Sequence, residues 1–181
     1  HRMIPYFSST VIPNYRVVQP RWSLPVLGIG VIGHTFLAIQ SLDAWRFIFD
    51  IPLMLLAFHH SYHWGLRHSF INRLLAMLHV AFLWFGIALL LYNVQSLWLF
   101  FTDQWILGKA PLHALTIGFV TSLVVAMVTR VTLGHSGRLL VTDPLTWWCF
   151  WGVSVVAVMR CLAELPPLDF LLGLHFNLWA A

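Results

Sequence analysis

The chain has 181 residues, 60% hydrophobic and only 9% charged, with a formal net charge of +4 and a mean hydropathy of +0.81. A soluble globular domain carries roughly 25% charged residues, so this chain is too poor in charge to cover a water-facing surface. It reads as an all-α integral membrane protein, a polytopic transmembrane helix bundle whose partner is the lipid bilayer. The absence of any basic run or aromatic-basic ladder excludes a nucleic-acid partner.

The segment 1–21, HRMIPYFSSTVIPNYRVVQPR, holds three prolines and several arginines and reads as an irregular cytoplasmic or interfacial stretch. From 22 to 181 the chain reads as the bundle. A membrane helix needs about 20 mostly apolar residues. The first such run is 22–41, with Pro25 tolerated in its first turn. The second, 47–64, is short and carries Asp50 and Pro52 near its start. The third is 74–92. The fourth, 111–133, has Pro111 where a first turn accepts it and Gly134 where a helix stops. The fifth, 145–165, opens at the turn signal Asp143-Pro144 and ends at Pro166-Pro167. A sixth begins near Leu168. The chain starts at His1 and stops inside the apolar stretch LLGLHFNLWAA, which suggests a piece of a longer protein.

Basic residues fix the orientation. Arg2, Arg16, Arg21, Arg67, Arg73, Arg130 and Arg138 fall at one set of helix ends; Arg46, Lys109 and Arg160 fall at the other. The positive-inside rule puts the first set in the cytoplasm, with the 42–46 and 93–109 loops outside.

Ten histidines in so uncharged a chain are the most informative feature. A polar side chain inside a bilayer is expensive, and it usually faces the bundle interior or a cofactor. Imidazole ligates both haem iron and copper. At about 1.5 Å per helical residue, His34 lies about 10 Å from the outer end of its helix, and His113 within roughly 5 Å of the outer end of the fourth. His79 and the cluster FHHSYHW, with His59, His60 and His63, lie toward the cytoplasmic side. Two layers follow. The outer one is a candidate haem site, with His113 the leading axial ligand and His34 its partner. In the inner one, His59 and His63 share a helical face at i, i+4, and with His79 they form a candidate copper site. The competing reading is that each histidine only bonds a carbonyl on a neighbouring helix.

The stretch VTRVTLGHSGR ends the fourth helix. His113 and His135 lie about 33 Å apart along a straight helix, too far to share a metal. Arg130, His135 and Arg138 are therefore candidates for a separate task, holding an anionic group such as a haem propionate on the cytoplasmic side. The alternative is a plain polar cap. GIGVIG has no strand before it and reads as small residues that let helices approach. Ser136 beside His135 has no evident acid partner for a hydrolase triad. Asp50 and Glu164 read as interfacial caps rather than proton relays. Cys149 and Cys161, twelve residues apart on one helix, are too distant to bridge.

At HRMIPYFSS and HALTIGFVTSLVVAMVTRVTLGHSGR the sequence resembles the NnrS family of bacterial membrane proteins. Ser136 stands where the family more often has Thr. LLAMLHVAFLWFGIALLLY and APLHALTIGF are also similar to family segments, so the likeness covers almost the whole chain. Arg2, Pro5, His79, His113, Arg130, His135 and Arg138 match recurrent motif positions. The resemblance implies an inner-membrane protein of about twelve helices, of which this chain would be the C-terminal half. The absent N-terminal half or other membrane subunits would then be partners. It further implies haem and copper cofactors and a role in denitrification or nitrosative stress, and it assigns no catalytic residue. A non-catalytic subunit or assembly partner of a respiratory complex is the alternative. A transporter is a third reading, but its broken helices or repeats are not evident.

Overall fold

The computed structural model describes residues 1–165, and within them every regular element is helical. The expected sixth helix lies outside the described residues. The helices are α1 (Met3–Val11), α2 (Ser23–Ile39), α3 (Phe47–His63), α4 (Leu66–Ser69), α5 (Arg73–Thr102), α6 (Ala110–His135) and α7 (Pro144–Leu162). By length and composition α5, α6 and α7 are long and apolar enough to cross a membrane. Helices α2 and α3 have 17 residues each. At about 25 Å they fall slightly short of the roughly 30 Å hydrocarbon core.

Helix α5 is the central post. It carries buried residues all round, from Leu74 through Ser96, because α3 packs on one flank and α6 on the other, with α7 lying against α6. Helix α2 reaches the bundle through α3. Its outward residues Ile29, Ile32, Phe36 and Ile39 are exposed, as are Trp148, Val155 and Met159 of α7. Such a surface suits lipid or a further membrane partner, and in water it would be an aggregation liability.

Helix α5 extends ten residues beyond the expected end at 92. Hydropathy breaks at Asn93, Gln95 and Ser96, but each side chain makes at least one hydrogen bond, so the helix continues. Asn93 donates to the Leu89 carbonyl at 2.9 Å. Gln95 donates to the carbonyls of Ile106 and Gly108 at 2.8 and 2.9 Å. The Ser96 hydroxyl donates to the Ala44 carbonyl and accepts from the Phe47 amide. These bonds fasten both outer loops to α5, and the loop expected over 93–109 shrinks to 103–109.

The N-terminal segment also differs from expectation. Residues 3–11 form α1, whose Ile4, Pro5 and Ser8 are buried as the helix packs on α5. The end of α6 is displaced as well. Gly134 stays helical, and the stop falls at Gly137, whose φ of +66° is the left-handed conformation glycine adopts without strain. Arg138 N–H donates to the Leu133 carbonyl and Gly137 N–H to the Gly134 carbonyl, the bond pair of a Schellman stop. Helix α7 starts as expected, with Asp143 accepting from the Thr146 amide. Hydrogen bonds from Thr146 hold the Asp143 carboxyl below the ordinary carboxylate range.

Within α6 the residues Ala114–Thr121 are wound as π-helix. Gly118 faces Trp84 so closely that a Cβ would sit 2.5 Å from the indole. The Thr121 hydroxyl donates to the Thr116 carbonyl five residues back. Such widened turns recur at functional sites, and this one begins next to His113.

Candidate functional site

The outer layer is built where α2 meets α3. Gly30 and Gly33 of the GIGVIG stretch face Leu53 and Phe49 so closely that a Cβ would sit 2.5 Å from either side chain. The small residues do let the helices approach. That approach puts the His34 ring one turn further on against Asp50, whose side chain is fully buried. His34 Nδ1–H donates to Asp50 Oδ1 at 2.7 Å, and Tyr92 of α5 meets the imidazole edge-on at 4.9 Å between centroids. Asp50 is therefore no interfacial cap; it is the hydrogen-bond partner of a histidine inside the bundle. Its second oxygen, Oδ2, is buried without a partner among the described residues. In a neutral imidazole with Nδ1 as the donor, Nε2 carries the lone pair, the arrangement that carboxylate–histidine pairs present to a metal.

His113 lies on the other flank of α5, with a different set of neighbours. Arg160 Nη2 donates to His113 Nε2 at 3.2 Å, and Glu164 Oε1 lies 3.6 Å from the same nitrogen. Glu164 Oε2 also accepts from the Lys109 amide, which makes it a cap for α6 as expected. Gly108 (φ +40°) takes a left-handed conformation that favours glycine, and its missing side chain leaves room for the Glu164 carboxylate. The partners of His34 lie on α3 and α5, those of His113 on α7 and just beyond it. The two imidazoles are not brought together.

In the inner layer, His59 and His63 do meet, with ring centroids 4.3 Å apart. Both rings are exposed on the flank of α3. His60 turns inward, stacked on Trp64 at 4.5 Å and met by His59 and His1 at 5.6 and 5.5 Å. Both ring nitrogens of His60 are buried without a partner among the described residues, an arrangement that calls for an explanation such as a bound water or ion. His79 points elsewhere. Its Nε2 lies 2.9 Å from the Ser8 hydroxyl in a buried hydrogen bond whose direction follows the imidazole tautomer. Among the described residues no three His, Cys, Asp or Glu side chains converge to hold a metal.

The polar end of α6 has its own geometry. Arg130 lies over the Phe7 ring, 3.6 Å from guanidinium carbon to centroid, a cation–π contact that fastens α1 to α6. His135 and Arg138 are exposed. His113 and His135 occupy the two ends of α6, so they do not share a site. Asp50, Arg160 and Ser8 were missed as partners of His34, His113 and His79. Charged residues within apolar helices signalled the first two. Nothing in the sequence signalled Ser8.

A bundle of long apolar helices around a buried post, with histidines held by Asp, Arg and Ser partners, defines a polytopic α-helical membrane protein. The family model described as NnrS protein matches residues 1–181. The chain belongs to the NnrS family and is a nitric oxide-related membrane protein. No curated protein and no solved structure matches it.

Proposed function

We propose that the chain binds haem through His34 and copper through His59 and His63. It would serve nitric oxide handling in the bacterial cytoplasmic membrane, in denitrification or in the response to nitrosative stress. The observation that carries the reading is the His34–Asp50 pair. A carboxylate buried in an apolar helix contact costs free energy, and its hydrogen bond to Nδ1 fixes the tautomer whose Nε2 binds a metal. His34 replaces His113 as the leading ligand because Arg160 already occupies the Nε2 lone pair of His113. The ligand chemistry suits both groups, imidazole being an axial ligand of haem iron and a donor to copper.

Haem iron and copper supply the redox and diatomic-gas chemistry when bound. The protein's own part is orientation and exclusion of water. Asp50 holds the His34 ring, Tyr92 restricts its rotation, and the apolar outer faces of α2 and α3 keep the site dry. On the inner side, His59 and His63 are two donors of a copper site, with further ligands drawn from beyond these residues. His79 is committed to Ser8 and stands outside that set. Arg130, His135 and Arg138 lie at the opposite end of the bundle from His34. They act there as helix cap and α1 clamp rather than as a propionate anchor for this haem.

The test is the absorption spectrum and metal content of the purified full-length protein, produced with haem precursor and copper supplied. A Soret band and stoichiometric copper are expected. Protein with neither would overturn the reading.

A further inference from the structure

A cavity of about 730 Å³ opens at the cytoplasmic end of α3, away from the His34 site. The 12–18 turn, the end of α3 and the start of α4 form its walls, and Phe58 and Leu83 give it an apolar side. Two features make it more than a gap between helices. Arg16 and Arg67 stand on its lining, both exposed, and among the described residues neither has an acidic partner. Ser61 also lines it, only 3% exposed, with a hydroxyl that has no hydrogen-bond partner among the described residues. The entrance is shaped by Gly65, whose φ of +89° and missing side chain let Ile12 and Tyr15 close over the turn.

From this charge and polarity we infer that the cavity binds the headgroup of an anionic phospholipid from the cytoplasmic leaflet. The phosphate meets Arg16 and Arg67, Ser61 donates a hydrogen bond, and an acyl chain lies along Phe58 and Leu83. The inner leaflet is rich in anionic lipid, and basic pockets between helices on that side suit such headgroups. Guanidinium is the better matched cation, since it offers a planar fork of donors to phosphate oxygens. A free inorganic anion would satisfy the arginines but leave the apolar wall uncovered. His63, a copper donor in the proposed function, also lines the cavity, so the inference is tested on copper-free protein, where its outcome is separate from that reading.

The test is the thermal midpoint of delipidated, copper-free full-length protein, titrated with phosphatidylglycerol, phosphatidylcholine or inorganic phosphate. Phosphatidylglycerol should raise the midpoint saturably, and the other two should not. In an Arg16→Gln, Arg67→Gln variant the apparent affinity should fall about 30-fold. Ser61→Ala should weaken it about 3- to 10-fold. Arg21→Gln, a basic residue of the same side outside the cavity, should leave it unchanged. Helicity by circular dichroism checks that the variants fold, and Ser61→Ala alone decides if the double variant does not. Equal stabilisation by phosphatidylcholine overturns the inference, as does the full effect from inorganic phosphate alone. So does an unchanged affinity in the arginine variant, in Ser61→Ala where that decides, or an equal loss in Arg21→Gln.

Discussion

His34 and Asp50 meet at 2.7 Å between two helices whose other contacts are apolar, and the carboxylate is fully buried. The pair exists because Gly30 and Gly33 let α2 lie close on α3. Asp50→Asn keeps the shape and an acceptor but removes the charge that makes the imidazole a strong donor to a metal. Haem affinity should fall about 10- to 100-fold, the usual cost of losing such an outer partner. Haem titration of the apoprotein measures it, with helicity unchanged. An affinity equal to wild type would separate Asp50 from ligation.

Copper should track the exposed pair on α3 rather than the buried imidazole on α5. His59→Ala, His63→Ala should lose about one equivalent of copper, because imidazole nitrogen is the donor there. His79→Ala should keep it, since that ring is bonded to Ser8. Metal analysis of the three proteins decides. Loss of copper in His79→Ala alone would reinstate the three-histidine site expected from sequence.

The Ser8–His79 bond and the Arg130–Phe7 contact together hold α1 on the bundle. Ser8→Ala leaves one imidazole nitrogen buried without a partner, at a cost of about 1–3 kcal/mol. The expected result is faster proteolysis at residues 12–20 with little change in the bundle's own unfolding. A double-mutant cycle with His79→Ala should return a coupling of about 0.5–1.5 kcal/mol. Additive losses would mean that the bond contributes nothing.

The two glycines of TLGHSGR should respond oppositely to alanine. At Gly134 a Cβ meets nothing within 4 Å, and the residue is helical, so Gly134→Ala should stabilise by up to about 1 kcal/mol. Gly137 has φ +66°, so Gly137→Ala should destabilise by about 1 kcal/mol or more. Thermal midpoints of both variants check the assignment of the helix stop. The reverse signs would return the stop to Gly134.

Much of the bundle was legible in the sequence because apolar length is a strong signal. The starts of α2, α3, α5, α6 and α7 fall within a residue or so of those expected. The far end of α5 was not legible, since Asn93, Gln95 and Ser96 look like a loop until their tertiary partners are known. Helix α1 was hidden by Pro5 within it and Pro13 and Pro20 after it, and by lying against α5 rather than spanning anything. At the site, the histidines and their rough depth along each helix could be read from the sequence. Which imidazole meets which partner could not, because helix rotation and crossing decide it. That is why His79 was grouped with His59 and His63 although it faces Ser8.

The central claim is that His34, oriented by Asp50, is the haem ligand. Its most direct measurement is the haem content of His34→Ala and His113→Ala, each purified from the full-length protein and compared with wild type. His34→Ala should lose the Soret band while remaining inserted in the membrane, and His113→Ala should retain it. A full Soret band in His34→Ala, with loss in His113→Ala, would contradict the account.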